Sequence, residues 1–206
     1  MNLPNRLTLL RMFLVIPFVV MMSIVLKYYY VEHEMIDFDN VSSTITVLFL
    51  VSSIVFVVAM FTDFLDGYLA RKNNQVSTFG KLFDPLADKL MTTTALVFLA
   101  LLQIAPFWAV LIFVLRDICV DGFRNLAASS NKNVSASIFG KAKTMVQSIA
   151  IPLLMFIYPI MPKEFGLNLL GDGNWKIWLL NIPLTVSVLL SIWSGALYFK
   201  QIMPLI

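Results

Sequence analysis

The stretch DFLDGYLARKNNQVSTFGKLFDPLAD, residues 63–88, places four aspartates, Asp63, Asp66, Asp84 and Asp88, between long apolar runs of a chain that is only 13% charged. Asp63 and Asp66 are three residues apart, and Asp84 and Asp88 four apart, so each pair falls on one face of a helix. The segment between them, Arg71 to Gly80, is short and polar. Two helices joined by it must run antiparallel, with their carboxylate faces able to meet.

Outward from this stretch the composition decides the class. Hydrophobic residues make up 59% of the 206 residues and the mean hydropathy is +0.85, whereas a soluble domain is nearer half apolar and about 25% charged. Several continuous runs approach the roughly 20 residues that a bilayer core requires. Continuous rather than alternating apolarity points to helices and not to a barrel. The expectation is an all-α integral membrane protein, a single domain over residues 1–206 with six transmembrane helices at about 7–27, 44–62, 82–103, 106–126, 142–161 and 177–199. Residues 28–43, 63–81, 127–140 and 162–176 are read as connections, with a tight turn near Pro106. The first run follows Arg6 and Arg11 like a secretion signal, but it continues to Lys27 with no small-residue cleavage site, so it reads as a retained span. Cys119 is the single cysteine, and His33 the single histidine, in an acidic loop; neither implies a metal site or a disulfide. A nucleic-acid partner is not expected.

Charge distribution sets the orientation. With six spans, twelve cations (Arg6, Arg11, Arg71, Lys72, Lys81, Lys89, Arg116, Arg124, Lys132, Lys141, Lys143 and Lys200) fall on the side of the termini. Three (Lys27, Lys163 and Lys176) fall on the other. By the positive-inside bias, the termini and the 63–88 stretch face the cytoplasm of a multi-pass plasma-membrane protein, around a polar cavity open to that side. The acids on that side are Asp63, Asp66, Asp84, Asp88, Asp117 and Asp121. Carboxylates at span ends are costly unless paired or metal-bound, which makes them functional candidates.

Four converging carboxylates repel one another or hold protons unless a cation joins them. Hard divalent ions, Mg²⁺ or Mn²⁺, suit an all-oxygen set, and four acids suffice to bridge two ions for phosphoryl chemistry. Gly67 and Ala70 let a bulky ligand approach the backbone, and Arg71 can grip phosphate oxygens. Taken singly, Asp84-Pro85 can be a helix cap with proline at its first position, Gly67 a packing glycine, and Arg71 a topology signal. Those readings do not account for four aspartates at these spacings.

Asp63-x-x-Asp66-Gly67-x-x-Ala70-Arg71, eight residues, then Gly80-x-x-x-Asp84-x-x-x-Asp88 resembles, at each fixed position, the signature of the CDP-alcohol phosphotransferase family. The resemblance implies a six-helix membrane fold and attack of an alcohol on the β-phosphorus of a CDP-linked lipid, with CMP leaving. It implies that Asp63, Asp66 and Asp84 are metal ligands, that Asp88 is the general base and touches a metal, and that Asp66, Gly67, Ala70, Arg71 and Gly80 line the CDP site. It also implies a homodimer.

The acceptor must be read elsewhere. Arg116 and Arg124 are eight residues apart, about 80° around a helix, so both can enter one cavity. Lys81, Lys141 and Lys143 open spans on the same side. So many cations fit a pocket for a phosphorylated, dianionic acceptor. Snorkelling to the headgroups is the account for Lys132 and Lys200 and the alternative for Lys143. Asp117 and Asp121 orient the arginines or bind acceptor hydroxyls. NLPNRLTLLR (2–11), RDICVDGFR (116–124), GKAKT (140–144) and SGALYF (194–199) resemble the branch of the family that takes CDP-diacylglycerol and sn-glycerol 3-phosphate. Asp117 and Asp121 depart from it, where glutamate and threonine are usual. The expected acceptor-phosphate ligands are Arg116, Arg124, Lys141 and Lys81, with Thr8, Arg11 and Lys143 beside them and Asn5 at the rim. The alternatives are another acceptor (inositol phosphate, serine or phosphatidylglycerol) and, in a different class, a divalent-cation transporter, which would carry its acids near midplane.

Overall fold

A computed structural model of the chain describes residues 3–31, 38–72, 78–129, 138–157 and 175–203. Among them every regular element is a helix: α1 (Leu3–Val31), α2 (Phe38–Lys72), α3 (Thr78–Leu101), α4 (Phe107–Ser129), α5 (Ile138–Ile157), α6 (Trp175–Leu180) and α7 (Ile182–Ile202). Among the described residues, three helical stretches are long and apolar enough to cross a membrane, Asn5–Tyr30, Thr44–Leu65 and Ile182–Gln201. Helices α3, α4 and α5, at 24, 23 and 20 residues, have comparable length, since each residue adds about 1.5 Å. Their apolar runs are interrupted by Asp84, Asp88 and Lys89, by Arg116, Asp117, Asp121 and Arg124, and by Lys141 and Lys143.

Several boundaries differ from the sequence reading. The 63–81 connection is mostly helix: α2 continues to Lys72 and α3 begins at Thr78, so the polar residues flanking the aspartates extend the helices instead of ending them. Pro85 consequently lies inside α3, and the reading of Asp84 as a cap fails because the helix starts six residues earlier. The 28–43 and 127–140 connections likewise give up their ends to α1, α2, α4 and α5. The loop residues Glu32, His33, Glu34 and Asp37, together with Lys132, Lys163, Glu164 and Asp172, lie outside the described residues. The expected span at 177–199 is divided: α6 ends at Leu180 and α7 restarts at Ile182, with Pro183 in its first turn. Pro183 has no N–H to give a continuing helix. Asn181 at this break donates its amide to the Ile104 carbonyl (3.0 Å), and its own carbonyl receives the Thr185 N–H (2.8 Å). The turn near Pro106 is present, with Gln103 at φ 59° and Ala109 N–H bonded to the Pro106 carbonyl (3.0 Å).

The chain forms two compact units, one of residues 1–102 and 152–166, the other of 103–151 and 167–206. In the first, α1 packs on α2 and α3, and α2 on α3. Phe18, Met22 and Val25 are buried along one stripe of α1, at the spacing of a single helical face. The Phe18 ring meets Phe56 of α2 (centroids 6.3 Å) and the edge of Phe98 of α3 (6.4 Å). Ser53, fully buried on α2, bonds the Phe49 carbonyl (2.8 Å) and the Met155 carbonyl (3.3 Å). The opposite face of α1 exposes Phe13, Ile16 and Val20, as contact with lipid requires. Tyr30 caps the far end by donating to the Leu101 carbonyl (3.0 Å).

In the second unit α4 packs on α7. The buried face of α7 is built from Leu184, Ser187, Val188, Ser191, Ser194 and Tyr198, and small residues of this kind let helices approach closely. Ser187 donates to the Lys143 carbonyl of α5 (3.1 Å).

Candidate active site

The aspartates of the 63–88 stretch lie on α2 and α3. Asp63, Asp84 and Asp88 are half-buried. Asp63 of α2 and Asp84 of α3 both meet the same turn of α1, so the two helices do bring together one carboxylate from each pair. Each of these two acids meets a side chain of α1. Arg11, fully buried, forms an ion pair with Asp63. Thr8, also buried, donates its hydroxyl to Asp84 Oδ1 (2.5 Å). Thr8 and Arg11 are one turn apart on the face of α1 that carries Phe18 deeper in the unit. Sequence reasoning places these two residues at the acceptor's phosphate; the structure sets them against the aspartates. One turn beyond Asp88, Thr92 bonds the Asp88 carbonyl (2.8 Å). Gly67 falls within α2. The side chains of Asp66, Ala70, Arg71 and Lys81, and the surroundings of Gly80, lie outside the described residues.

The donor chemistry fits a hard divalent cation: the polar groups facing one another on α2 and α3 are carboxylates, with neither thiolate nor imidazole among them. Among the described residues, which exclude the Asp66 side chain, no group of three or more such side chains stands in metal-holding geometry.

A second cluster belongs to α4, α5 and α7. Asp117 accepts hydrogen bonds from Arg116 Nη1 (2.9 Å) and from Lys143 Nζ at both oxygens (3.0 and 2.9 Å). Arg116 Nη2 donates to Ser194 Oγ (2.6 Å), and Arg124 Nη2 to the Tyr198 hydroxyl (2.9 Å). Both guanidinium groups lie over the Tyr198 ring, 6.0 and 5.2 Å from its centroid, within reach of a cation–π attraction. A Cβ at Gly195 would come within 3.3 Å of Arg116 Cγ, so glycine there leaves room for the arginine stem against α7.

Arg116 and Arg124 thus converge as their spacing on α4 predicts, and the shared feature is Tyr198. Lys143 is not a snorkelling lysine: it is buried, paired to Asp117, and 5.0 Å from the Phe113 ring centroid. Lys141 is exposed and Asp121 half-buried. The contacts join three cations, Arg116, Arg124 and Lys143, to one carboxylate, Asp117, a net positive set suited to an anion. Tyr198, Ser194 and Phe113 are roles the sequence reading misses. The signal for Ser194 and Tyr198 is the buried polar spacing Ser187, Ser191, Ser194, Tyr198 in an otherwise apolar helix; Phe113 has none.

Lys143 sets up a stability test. Asp117→Ala removes the carboxylate that pairs with the buried Lys143 ammonium, and breaking a buried pair in this way costs about 3–5 kcal/mol. A marked drop in melting temperature of the detergent-solubilised protein is expected, and Asp117→Ala, Lys143→Met together should recover much of it. An unchanged melt for Asp117→Ala contradicts the buried pair.

A family profile described as CDP-alcohol phosphatidyltransferase matches residues 1–193. The chain is 39% identical over 200 residues to the CDP-diacylglycerol--glycerol-3-phosphate 3-phosphatidyltransferase of Bacillus subtilis (strain 168), covering 97% of this chain and 94% of that protein. It is 32% identical over 201 residues to the protein of the same name from Mycoplasma genitalium, with 98% and 84% covered. It is 31% identical over 202 residues to that of Rickettsia typhi, with 97% and 96% covered.

Proposed function

The chain belongs to the CDP-alcohol phosphatidyltransferase family, and on that premise we propose that it transfers the phosphatidyl group of CDP-diacylglycerol to sn-glycerol 3-phosphate, giving phosphatidylglycerophosphate and CMP. The observation that carries the reading is the 63–88 signature lying on two helices, with Asp63 of one and Asp84 of the other held by the same turn of α1. The near-full-length likeness to proteins named for this reaction supports the choice of acceptor.

Asp63, Asp66 and Asp84, with Asp88 at the edge, would hold Mg²⁺ or Mn²⁺ in a two-ion arrangement, whose chemistry is to neutralise the diphosphate and the charge developing on CMP. Gly67, Ala70 and Gly80 leave space for the cytidine diphosphate, and Arg71 takes phosphate oxygens. Asp88 accepts the proton of the acceptor's primary hydroxyl as its oxygen bonds to the β-phosphorus and the bond to CMP breaks. Arg116, Arg124 and Lys141 hold the acceptor's phosphate, with Tyr198 and Asp117 keeping the arginines in place. Six spans, with the termini and a polar cavity on the cytoplasmic side of the plasma membrane, complete the reading, and the chain acts as a homodimer as its resemblance implies. The excess of cations at those span ends supports the sidedness.

An acceptor screen tests the proposal. Purified protein with CDP-diacylglycerol and a divalent ion should release CMP on addition of sn-glycerol 3-phosphate, and not with inositol phosphate, serine or phosphatidylglycerol. Release with one of those instead overturns the acceptor. A charge-assisted hydrogen bond contributes about 1.5–3 kcal/mol. Arg124→Gln is therefore expected to raise KM for glycerol 3-phosphate roughly ten- to a hundredfold, with KM for CDP-diacylglycerol unchanged. A shift confined to the lipid substrate contradicts the assignment.

A further inference from the structure

Thr8 and Arg11 stand out because two buried polar side chains near the start of an apolar helix are both spent on the aspartates of other helices. Arg11 has no exposed surface and Thr8 is 1% exposed. Buried charge in such a helix persists only with a partner, and Arg11 finds Asp63 of α2 while Thr8, one turn earlier, finds Asp84 of α3. Each contact uses the Oδ1 atom of its carboxylate. A carboxylate has two oxygens and about four lone-pair sites, so both acids keep coordination capacity while their orientation is set from α1.

We infer that Thr8 and Arg11 are positioning residues for the carboxylates that bind the divalent ion: α1 fixes Asp63 and Asp84 in the orientation from which they coordinate it. This rests on the metal assignment above and goes beyond it by making α1, which contains none of the signature residues, part of the metal centre. Carboxylates gathered against one turn of α1 from α2 and α3 repel as like charges do and need an outside hold to stay turned toward one point. Arg11 supplies a charge that offsets the repulsion, and Thr8 supplies a neutral donor that fixes direction alone. Hydrogen-bonded partners of metal ligands typically account for a 10–100-fold difference in metal affinity.

The test is direct Mn²⁺ binding to the full-length protein in detergent, read by electron paramagnetic resonance without substrates. The wild type should bind Mn²⁺ saturably, and Asp84→Asn should lose that binding. Thr8→Val, which removes the donor at nearly constant shape, is expected to weaken the dissociation constant about 10–100-fold, with a metal-free melting temperature close to wild type. Thr8→Ser, which restores the hydroxyl, should bind nearly as the wild type does. Arg11→Met should also weaken binding, and Arg11→Lys should recover part of it; if Arg11→Met does not fold, the two Thr8 variants decide. Unchanged Mn²⁺ affinity in Thr8→Val overturns the inference while leaving the metal assignment intact. The same follows if Thr8→Val shifts only KM for glycerol 3-phosphate. Absence of saturable Mn²⁺ binding in the wild type overturns the metal assignment and the inference with it.

Discussion

Asp88→Asn is expected to lower kcat by about 10²–10⁴-fold, the usual contribution of a positioned general base, while both substrates still bind. Asparagine keeps the shape of the side chain and one carbonyl oxygen but cannot take the proton of the acceptor hydroxyl. The position is well chosen for such a test. Asp88 lies within α3, a turn after Asp84, and its backbone carbonyl accepts the Thr92 hydroxyl, so the substitution leaves the helix undisturbed. KM for CDP-diacylglycerol and for glycerol 3-phosphate should stay within a few-fold of wild type. Near-normal turnover would remove Asp88 from the role of base.

Asp63→Asn should be as damaging to turnover, for a different reason. It takes a negative charge from the ligand set, and ligands should exceed the 10–100-fold effect typical of their outer partners. It also removes the carboxylate that pairs with buried Arg11, and breaking a buried ion pair is destabilising. Activity should fall at least about a hundredfold, with partial return at high Mn²⁺ and a lowered melting temperature. Asp88→Asn, at the edge of the metal site, should recover less at high Mn²⁺ and should keep its melting temperature. Equal metal dependence in Asp63→Asn and wild type would contradict a ligand role for Asp63.

The aspartate spacings were legible in the sequence because helical periodicity is a local property. Three and four residues apart means one face, and the helices α2 and α3 carry the pairs as that rule requires. The convergence of Arg116 and Arg124 follows from the same rule applied to α4. Local reasoning fails where the partner is distant in sequence. Nothing near residue 8 or 11 reveals that their side chains meet residues 84 and 63, and nothing near Asp117 reveals Lys143. Both contacts depend on which helix faces become neighbours. The cap alternative for Asp84-Pro85 falls for the opposite reason: the pair is a good cap locally, yet the helix begins at Thr78, and proline is carried inside it. Tyr198 was hidden in an apolar run, where an aromatic residue passes for packing until the two arginines are seen above its ring.

The central claim is that this chain moves a phosphatidyl group from CDP-diacylglycerol to glycerol 3-phosphate through the aspartates of α2 and α3. The most direct measurement supplies radiolabelled sn-glycerol 3-phosphate and CDP-diacylglycerol with Mg²⁺ to the purified protein, and counts label in the lipid phase against CMP released. The expected result is one labelled phosphatidylglycerophosphate per CMP in the wild type, and both products formed at least about a hundredfold more slowly in Asp88→Asn. CMP release without labelled lipid, or equal labelling by wild type and Asp88→Asn, would contradict it.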